Sequence, residues 1–234
     1  MPHSTNCASR WRRKGGSRSA SAPSAGDCKR WGWREKKSQL TSQADPKERA
    51  AFQEQQQTLA GEELIFLDEF GINLAMTRTH ARAPIGERAT VTEPFKHDSH
   101  ISVSSAMGVH GVCAPMTIEG ALNSEVFERY GAPLLAPCLR PGTIVWLDNV
   151  TCHYSPRALE LMEAAGARVL HLPAYSPDFN PMEGGISKIQ GALRSFKART
   201  KRKLTTALAK ALAVVTEDDI RGWLEHCGYV SSFK

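Results

Sequence analysis

Two short apolar runs, Leu64-Ile-Phe-Leu67 and Ile144-Val-Trp-Leu147, each give way directly to an aspartate, Asp68 and Asp148. Continuous apolarity over so few residues, with Gly71 soon after the first run, describes strands buried on both faces of a sheet. An ionised carboxylate closing such a strand is costly unless something cationic compensates it. The rhyme between the two runs therefore constrains architecture and chemistry together: a layered α/β domain that delivers two acids from its interior.

The remaining pattern fills in the layers. Strand-like runs are predicted at Ala89–Thr92, Ile101–Val109 and Val112–Ile118, with Pro94 and His110-Gly111 as turn signals. A helical stretch from about Ser124 to Cys138 precedes the second strand that ends in Asp. Ser155-Pro156 supplies an N-cap and first turn, Leu159, Met162 and Ala165 an apolar stripe, and Gly166 a stop. Ala167–Leu172 reads as another strand, and the turn-rich stretch Tyr175–Asn180 leads into a helix opened by Asn180-Pro181. Met182, Ile186, Ile189 and Leu193 recur along it at helical spacing. Three strands, helix, strand, helix, strand, helix is the order of the ribonuclease-H-like fold. The expected fold class is thus α/β, a mixed five-stranded sheet with strands 1–3 antiparallel and helices on its flanks.

A chain of 234 residues, 41% apolar and 23% charged, is long enough to bury a sizeable core. No apolar run approaches the roughly 18 residues of a membrane span, and the polar, basic N-terminus does not read as a secretory signal, so a cytoplasmic location is the expectation. Six scattered cysteines form no C-x-x-C pair, and no two of the eight histidines sit at i, i+4, which argues against zinc chemistry. Charge is uneven. Residues 1–40 hold ten Lys/Arg against Asp27 and Glu35, a net +8 in a chain whose total is +6. A second basic stretch, from Lys188 to Lys210, contains no acid. Two patches of one sign suggest a polyanionic partner, with a solvated tail and an ordinary exposed helix face as the alternative.

Boundaries follow from composition: a basic, disordered segment over 1–40, a helical linker over 41–61, the catalytic domain over 62–200 and a C-terminal helical tail over 201–234. Within the domain a third acid, Glu183, stands three residues after Asn180. Two roles are open to it. It fits a capping box, and it also lies one turn before Ile186 on the apolar side, from where its carboxylate reaches toward Asp68 and Asp148. Three clustered carboxylates repel unless a cation joins them, and oxygen-only donors suit Mg2+ or Mn2+, two ions of which can clamp the attacking and leaving oxygens of a phosphoryl displacement.

The chain resembles the bacterial insertion-sequence branch of the mariner superfamily of transposases, the insertion sequence 630 family, over about Glu62 to Tyr229. The first acidic motif is similar to Leu67-Asp-Glu-Phe-Gly71, followed by a region similar to Met76–Arg88, and the second to Leu147-Asp-Asn-Val-Thr-Cys-His153. The third, Leu-Pro-x-Tyr-Ser-Pro-Asp-x-Asn-Pro-x-Glu, matches Leu172 through Glu183 at every fixed position, and 34 residues separate Asp148 from Glu183. The resemblance implies a DDE catalytic domain in which Asp68, Asp148 and Glu183 are catalytic and hold two metal ions. It implies double-stranded DNA as partner, cut at the element's terminal inverted repeats and joined to a TA target by a homodimer, with no small-molecule cofactor.

Asn149 and His153 resemble family positions beside the second acid; orienting water or phosphate is one role, and a strand-end hydrogen bond or a satisfied buried histidine the other. Glu69 should point to the opposite face of the sheet from Asp68, which disfavours it as a ligand. Arg78, Arg82 and Arg88 are candidates for contact with DNA or a partner subunit, or simply solvated, and Lys188, Arg194 and Lys197 are candidates for DNA. The N-terminal helix-turn-helix region usual in the family is not recognisable in residues 1–60, so a truncated or frameshifted copy is expected, and a catalytically silent DNA-binding or interfering remnant is the competing function. Gly184-Gly185, where the family has a polar pair, predicts a helix that alanine at both sites would stabilise.

Overall fold

The computed structural model describes residues 42–59, 63–90 and 100–229. The basic segment 1–40 and positions 91 and 92 lie outside the described residues. The elements are α1 (Pro46–Thr58), β1 (Leu64–Ile72), β2 (Ile101–Gly108), β3 (Gly111–Glu119), α2 (Ser124–Tyr130), β4 (Ile144–Leu147), α3 (Pro156–Ala164), β5 (Arg168–His171), α4 (Met182–Phe196), α5 (Lys201–Leu212) and α6 (Glu217–His226). One sheet has the order β3-β2-β1-β4-β5. β1 to β3 form an antiparallel meander, while β4 runs parallel to β1 and β5 parallel to β4. The expected mixed five-stranded sheet is thus present.

Two boundaries differ from expectation. β1 does not stop at Asp68 but continues to Ile72, because Phe70 and Ile72 keep the apolar alternation and the ladder to β2 runs on to the pair Ile72–Ile101. Asp68 is consequently a mid-strand residue opposite Ser105. No strand forms at Ala89 and Thr90, which are irregular and exposed.

Each face of the sheet has its own core. Ile65, Leu67, Val145 and Leu147 point to one side, where Phe127 and Tyr130 of α2 and Met162 of α3 cover them. Phe66 and Trp146 point to the other, against Phe52 of α1, Met182 of α4 and Leu224 of α6. A third cluster packs Ile189 and Leu193 of α4 with Leu204 and Leu208 of α5 beneath Phe70 and Val103. Burying such side chains contributes about 1.5–3 kcal/mol each, so these clusters, more than helix propensity, hold the helices in place.

The segment expected as a linker carries α1, whose Phe52 ring meets Trp146 at 5.1 Å and Phe179 at 4.9 Å. Arg49, also on α1, grips Asp178 through two hydrogen bonds of 2.8 and 2.6 Å and lies 4.2 Å over the Phe179 ring. From the other end of the chain, Tyr229 donates its hydroxyl to the Phe179 carbonyl at 2.9 Å. The loop before α4 is therefore clamped from two sides, which fixes where that helix begins.

The paired glycines reverse a sequence-based expectation. A Cβ on Gly184 would come within 2.7 Å of the Trp223 ring of α6, and one on Gly185 within 3.2 Å of Met107 Sδ. Close approach of α6 to α4 needs Gly184 bare, while Gly185 lets Met107 of β2 come near, so Gly184→Ala should lower the melting temperature, a cost of about 1–3 kcal/mol from overpacking. An unchanged or higher midpoint in thermal unfolding would refute this packing.

Candidate active site

The register of two parallel strands brings the first two acids level. Phe66 of β1 lies opposite Trp146 of β4. Asp68 and Asp148 each follow two residues later, on strands about 4.8 Å apart, and Asp68 continues along β1 on the face that α4 covers. Glu183 stands in the first turn of α4. Asp68 feels both of the others. Burial above all, together with the charges of Glu69, Asp148 and Glu183, pushes its carboxyl up to about 7, against a 2.7 Å hydrogen bond from the Glu69 amide to Oδ1. A carboxyl so placed lacks a compensating positive charge.

Asn180, which sequence reasoning treated only as a helix opener, ties two of these parts together. Its Nδ2 donates to Asp68 Oδ2 at 2.7 Å, and its Oδ1 accepts from the Met182 amide at 3.0 Å. One buried amide group thus joins mid-strand β1 to the start of α4. The reciprocal capping box open to Glu183 does not form: the N-cap is Pro181, whose side chain can cap nothing, and the first amide of α4 is taken by Asn180 instead. Glu183 is exposed, and its carboxylate has no hydrogen bond or ion pair among the described residues. The signal for Asn180 was its place in the third motif, three residues before the acid.

Glu69 has a neighbour that alternation alone could not supply. It does project to the face opposite Asp68, but there it meets His153. The imidazole is fully buried, 4.7 Å from the Phe127 ring, with Nε2 3.2 Å from Glu69 Oε1 and Nδ1 2.7 Å from Asp148 Oδ1. The Nδ1 contact is an ion pair without the alignment of a hydrogen bond. Burial opposes charge on this ring most strongly, yet the two carboxylates outweigh it and raise His153 to about 10. Burial would likewise raise Asp148, but His153 and a 3.1 Å hydrogen bond from the Val150 amide hold it below the usual carboxylate range. Ser104 Oγ completes the pocket, donating to Glu69 at 3.0 Å. Oxygens of Glu69 and Asp148 and a nitrogen of His153 lie within 4.8 Å of one another, a set that can hold a metal. A proton on His153 and a cation in its place exclude one another, and the raised imidazole favours the proton. Asp148 therefore faces two ways, toward an internal cation and toward Asp68.

The other predicted residues separate. Asn149 donates to the Leu172 carbonyl at 2.6 Å and accepts from the Tyr154 hydroxyl at 2.5 Å, tying the ends of β4 and β5. Arg78, Arg82 and Arg88 are exposed on an irregular segment and make no ion pair among the described residues. Lys188 pairs with Asp219, and Arg194 donates to Gln190 at 3.2 Å. Lys197 closes α4 in a left-handed conformation, φ 47° and ψ 44°.

The family profile described as DDE superfamily endonuclease matches residues 63–205, more than half of the chain and all of the elements that carry the three acids. The chain belongs to this family. No curated protein matches it by sequence. Among solved structures, this member of the DDE superfamily is similar to the Mos1 transposase paired-end complex with left transposon end, at 14% identity and a TM-score of 0.64, over 87% of this chain and 66% of that one. It is similar to the Mos1 strand transfer complex at 16% identity and 0.61, over 87% and 65%. It is also similar to the Mos1 transposase catalytic domain with Raltegravir and Mg at 14% identity and 0.57, over 82% and 96%. The chain spans just under two thirds of the length of the two complexed transposases and nearly all of the catalytic domain. These likenesses establish the ribonuclease-H-like fold.

Proposed function

We propose that this chain is the catalytic part of a DNA transposase, cutting DNA at the ends of a mobile element and joining the freed 3′-hydroxyl to target DNA. The observation that carries the reading is Asp68: a carboxyl pushed up to about 7 by burial and by neighbours that include Asp148 and Glu183. That donor set is oxygen only, and its Asp68 and Glu183 carboxylates have no cationic partner among the described residues, which fits a hard divalent cation with Asp68, Asp148 and Glu183 as its holders. Mg2+ or Mn2+, two ions in this reading, would supply the positive charge that offsets charge developing on the phosphate. The chain's own residues do the positioning. Asn180 holds Asp68 against the start of α4, His153 fixes Asp148, and Glu183 remains free to turn inward.

The finer assignment follows the sequence motifs: the insertion sequence 630 branch, with residues 62–200 as the catalytic domain. A homodimer on paired inverted repeats, a TA target and a cytoplasmic, nucleoid-associated location complete it. The Mos1 complexes with transposon end and in strand transfer support a DNA partner of this kind. Among the described residues no helix is long and apolar enough to cross a membrane.

The test incubates the protein with supercoiled plasmid, and separately with a pre-cut duplex end, in Mn2+ or Mg2+. Nicking and end joining that vanish in Asp148→Asn, with DNA binding retained, are the expected outcome. DNA binding without nicking in either metal would instead establish the silent remnant, and nicking without joining a plain nuclease.

A further inference from the structure

We propose a second DNA contact, separate from the carboxylates: the cleft between the end of α4 and the outer face of α5 seats the phosphate backbone of a duplex. The inference rests on the reading of this chain as a DNA enzyme and names a surface for that partner. The cleft, of about 560 Å³, is lined by Lys197, Arg202, Lys203 and Lys210, with Phe196 and Thr206 between them. No acid lines it, and none occurs in the sequence from Gly184 to Thr216.

What distinguishes these four cations is that their charged groups find no partner among the described residues. Their neighbours in the same basic stretch are engaged: Lys188 with Asp219, Lys201 with Glu119, and Arg199 with the carbonyls of Leu74 and Met76. The four in the cleft make no side-chain hydrogen bond or ion pair among the described residues, although like charges gathered on one wall repel. Lys197 also holds the left-handed backbone that glycine adopts most readily, and from there its side chain lines the cleft.

Spacing fits a strand of nucleic acid. Arg202, Thr206 and Lys210 recur every four residues on α5 and so share one stripe, about 12 Å from first to last. One DNA strand advances about 3.4 Å along the duplex axis per phosphate, so a stripe laid along that axis spans about three to four of them. The N-terminus of α5, at Lys201, adds partial positive charge beside Arg202. Along α4 the cleft lies about 20 Å from Glu183, so DNA held there is gripped well away from the three acids. Exposed Phe196 offers an apolar edge to a sugar or base beside the phosphates.

The experiment measures anisotropy of a labelled duplex of arbitrary sequence with the full chain, in EDTA, over a range of salt. It compares the parent with Arg202→Gln/Lys203→Gln/Lys210→Gln and with a control, Arg157→Gln/Arg168→Gln, at exposed sites on α3 and β5. All five positions are exposed, so folding should be retained, and a melting curve for each protein confirms it. The cleft variant should bind at least about tenfold more weakly at low salt, with a slope of log K against log salt shallower by about two to three, while the control keeps both. Parental affinity and slope in the cleft variant, or an equal loss in the control, overturns the cleft and leaves the proposed function standing. Failure of the parent itself to bind DNA overturns both.

Discussion

Glu183→Gln is expected to reduce metal-dependent DNA cleavage by at least about 10²-fold while leaving the melting temperature of the metal-free protein at pH 8 unchanged or higher. An exposed carboxylate without a hydrogen-bonding partner contributes little to the fold. Its charge is one of those that push Asp68 up to about 7, so removing it relieves the cluster. The same shift sets a pH dependence. Folded Asp68 binds its proton more tightly than the unfolded chain, whose carboxyl titrates near 3.8. Metal-free stability should therefore fall as pH climbs from about 4 to about 7, with the full cost present above that. Mn2+ should raise the midpoint strongly at pH 8 and weakly at pH 5, and Glu183→Gln should blunt that response. Differential scanning fluorimetry at the two pH values, with EDTA or Mn2+, reads all of this. A large drop in the midpoint of metal-free Glu183→Gln would instead make Glu183 a structural residue of the helix start.

His153→Ala should be among the most destabilising single changes in the chain, at about 3–5 kcal/mol, the usual cost of leaving a buried ionic partner uncompensated. Glu69 and Asp148 would then face each other across a cavity beside Phe127, with no cation between them. The pH signature has the same sign as that of Asp68, a fall with rising pH, but lies in a higher window, and what is lost is a favourable ion pair rather than the low cost of a neutral carboxyl. A histidine raised to about 10 stabilises the fold fully below its unfolded value of 6.5, and that contribution is lost as pH rises through 10. The parent's midpoint should decline between about pH 7 and 10, and the variant, already lower, should be flatter over that window. A variant as stable as the parent at pH 7 would show that the buried triad contributes nothing to the fold.

What the sequence disclosed and what it withheld divide along contact distance. Short-range patterns carried the sheet: two apolar runs ending in Asp68 and Asp148, the turn at His110-Gly111 and the helical period from Met182 to Leu193 were all readable locally. The extent of β1 was not, because Glu69 and Gly71 interrupt its apolar run and only pairing with β2 continues it. Alternation gave the side on which Glu69 lies but not its neighbour there, since His153 is 84 residues away, on the turn Thr151–Tyr154 that follows β4. Asp178 and Asn180 were visible as motif positions without roles, because Arg49 and Asp68 come from elsewhere in the chain. Propensity gave the wrong sign at Gly184 for the same reason: the Trp223 ring that forbids a side chain belongs to α6.

Asp68 is embedded in β1, paired with Ser105 of β2, whereas Asp148 stands just beyond the end of β4 and Glu183 on the opening turn of a helix. Of the three proposed metal holders, Asp68 is thus set by the sheet and Asp148 by its ion pair with His153, while the Glu183 side chain alone has no partner among the described residues. Fit to ions of different radius would then fall to rotation of that one side chain while the sheet and the clamped loop stay still. The amide of Asn180, bonded both to Asp68 and to the helix start, holds that helix end to the sheet.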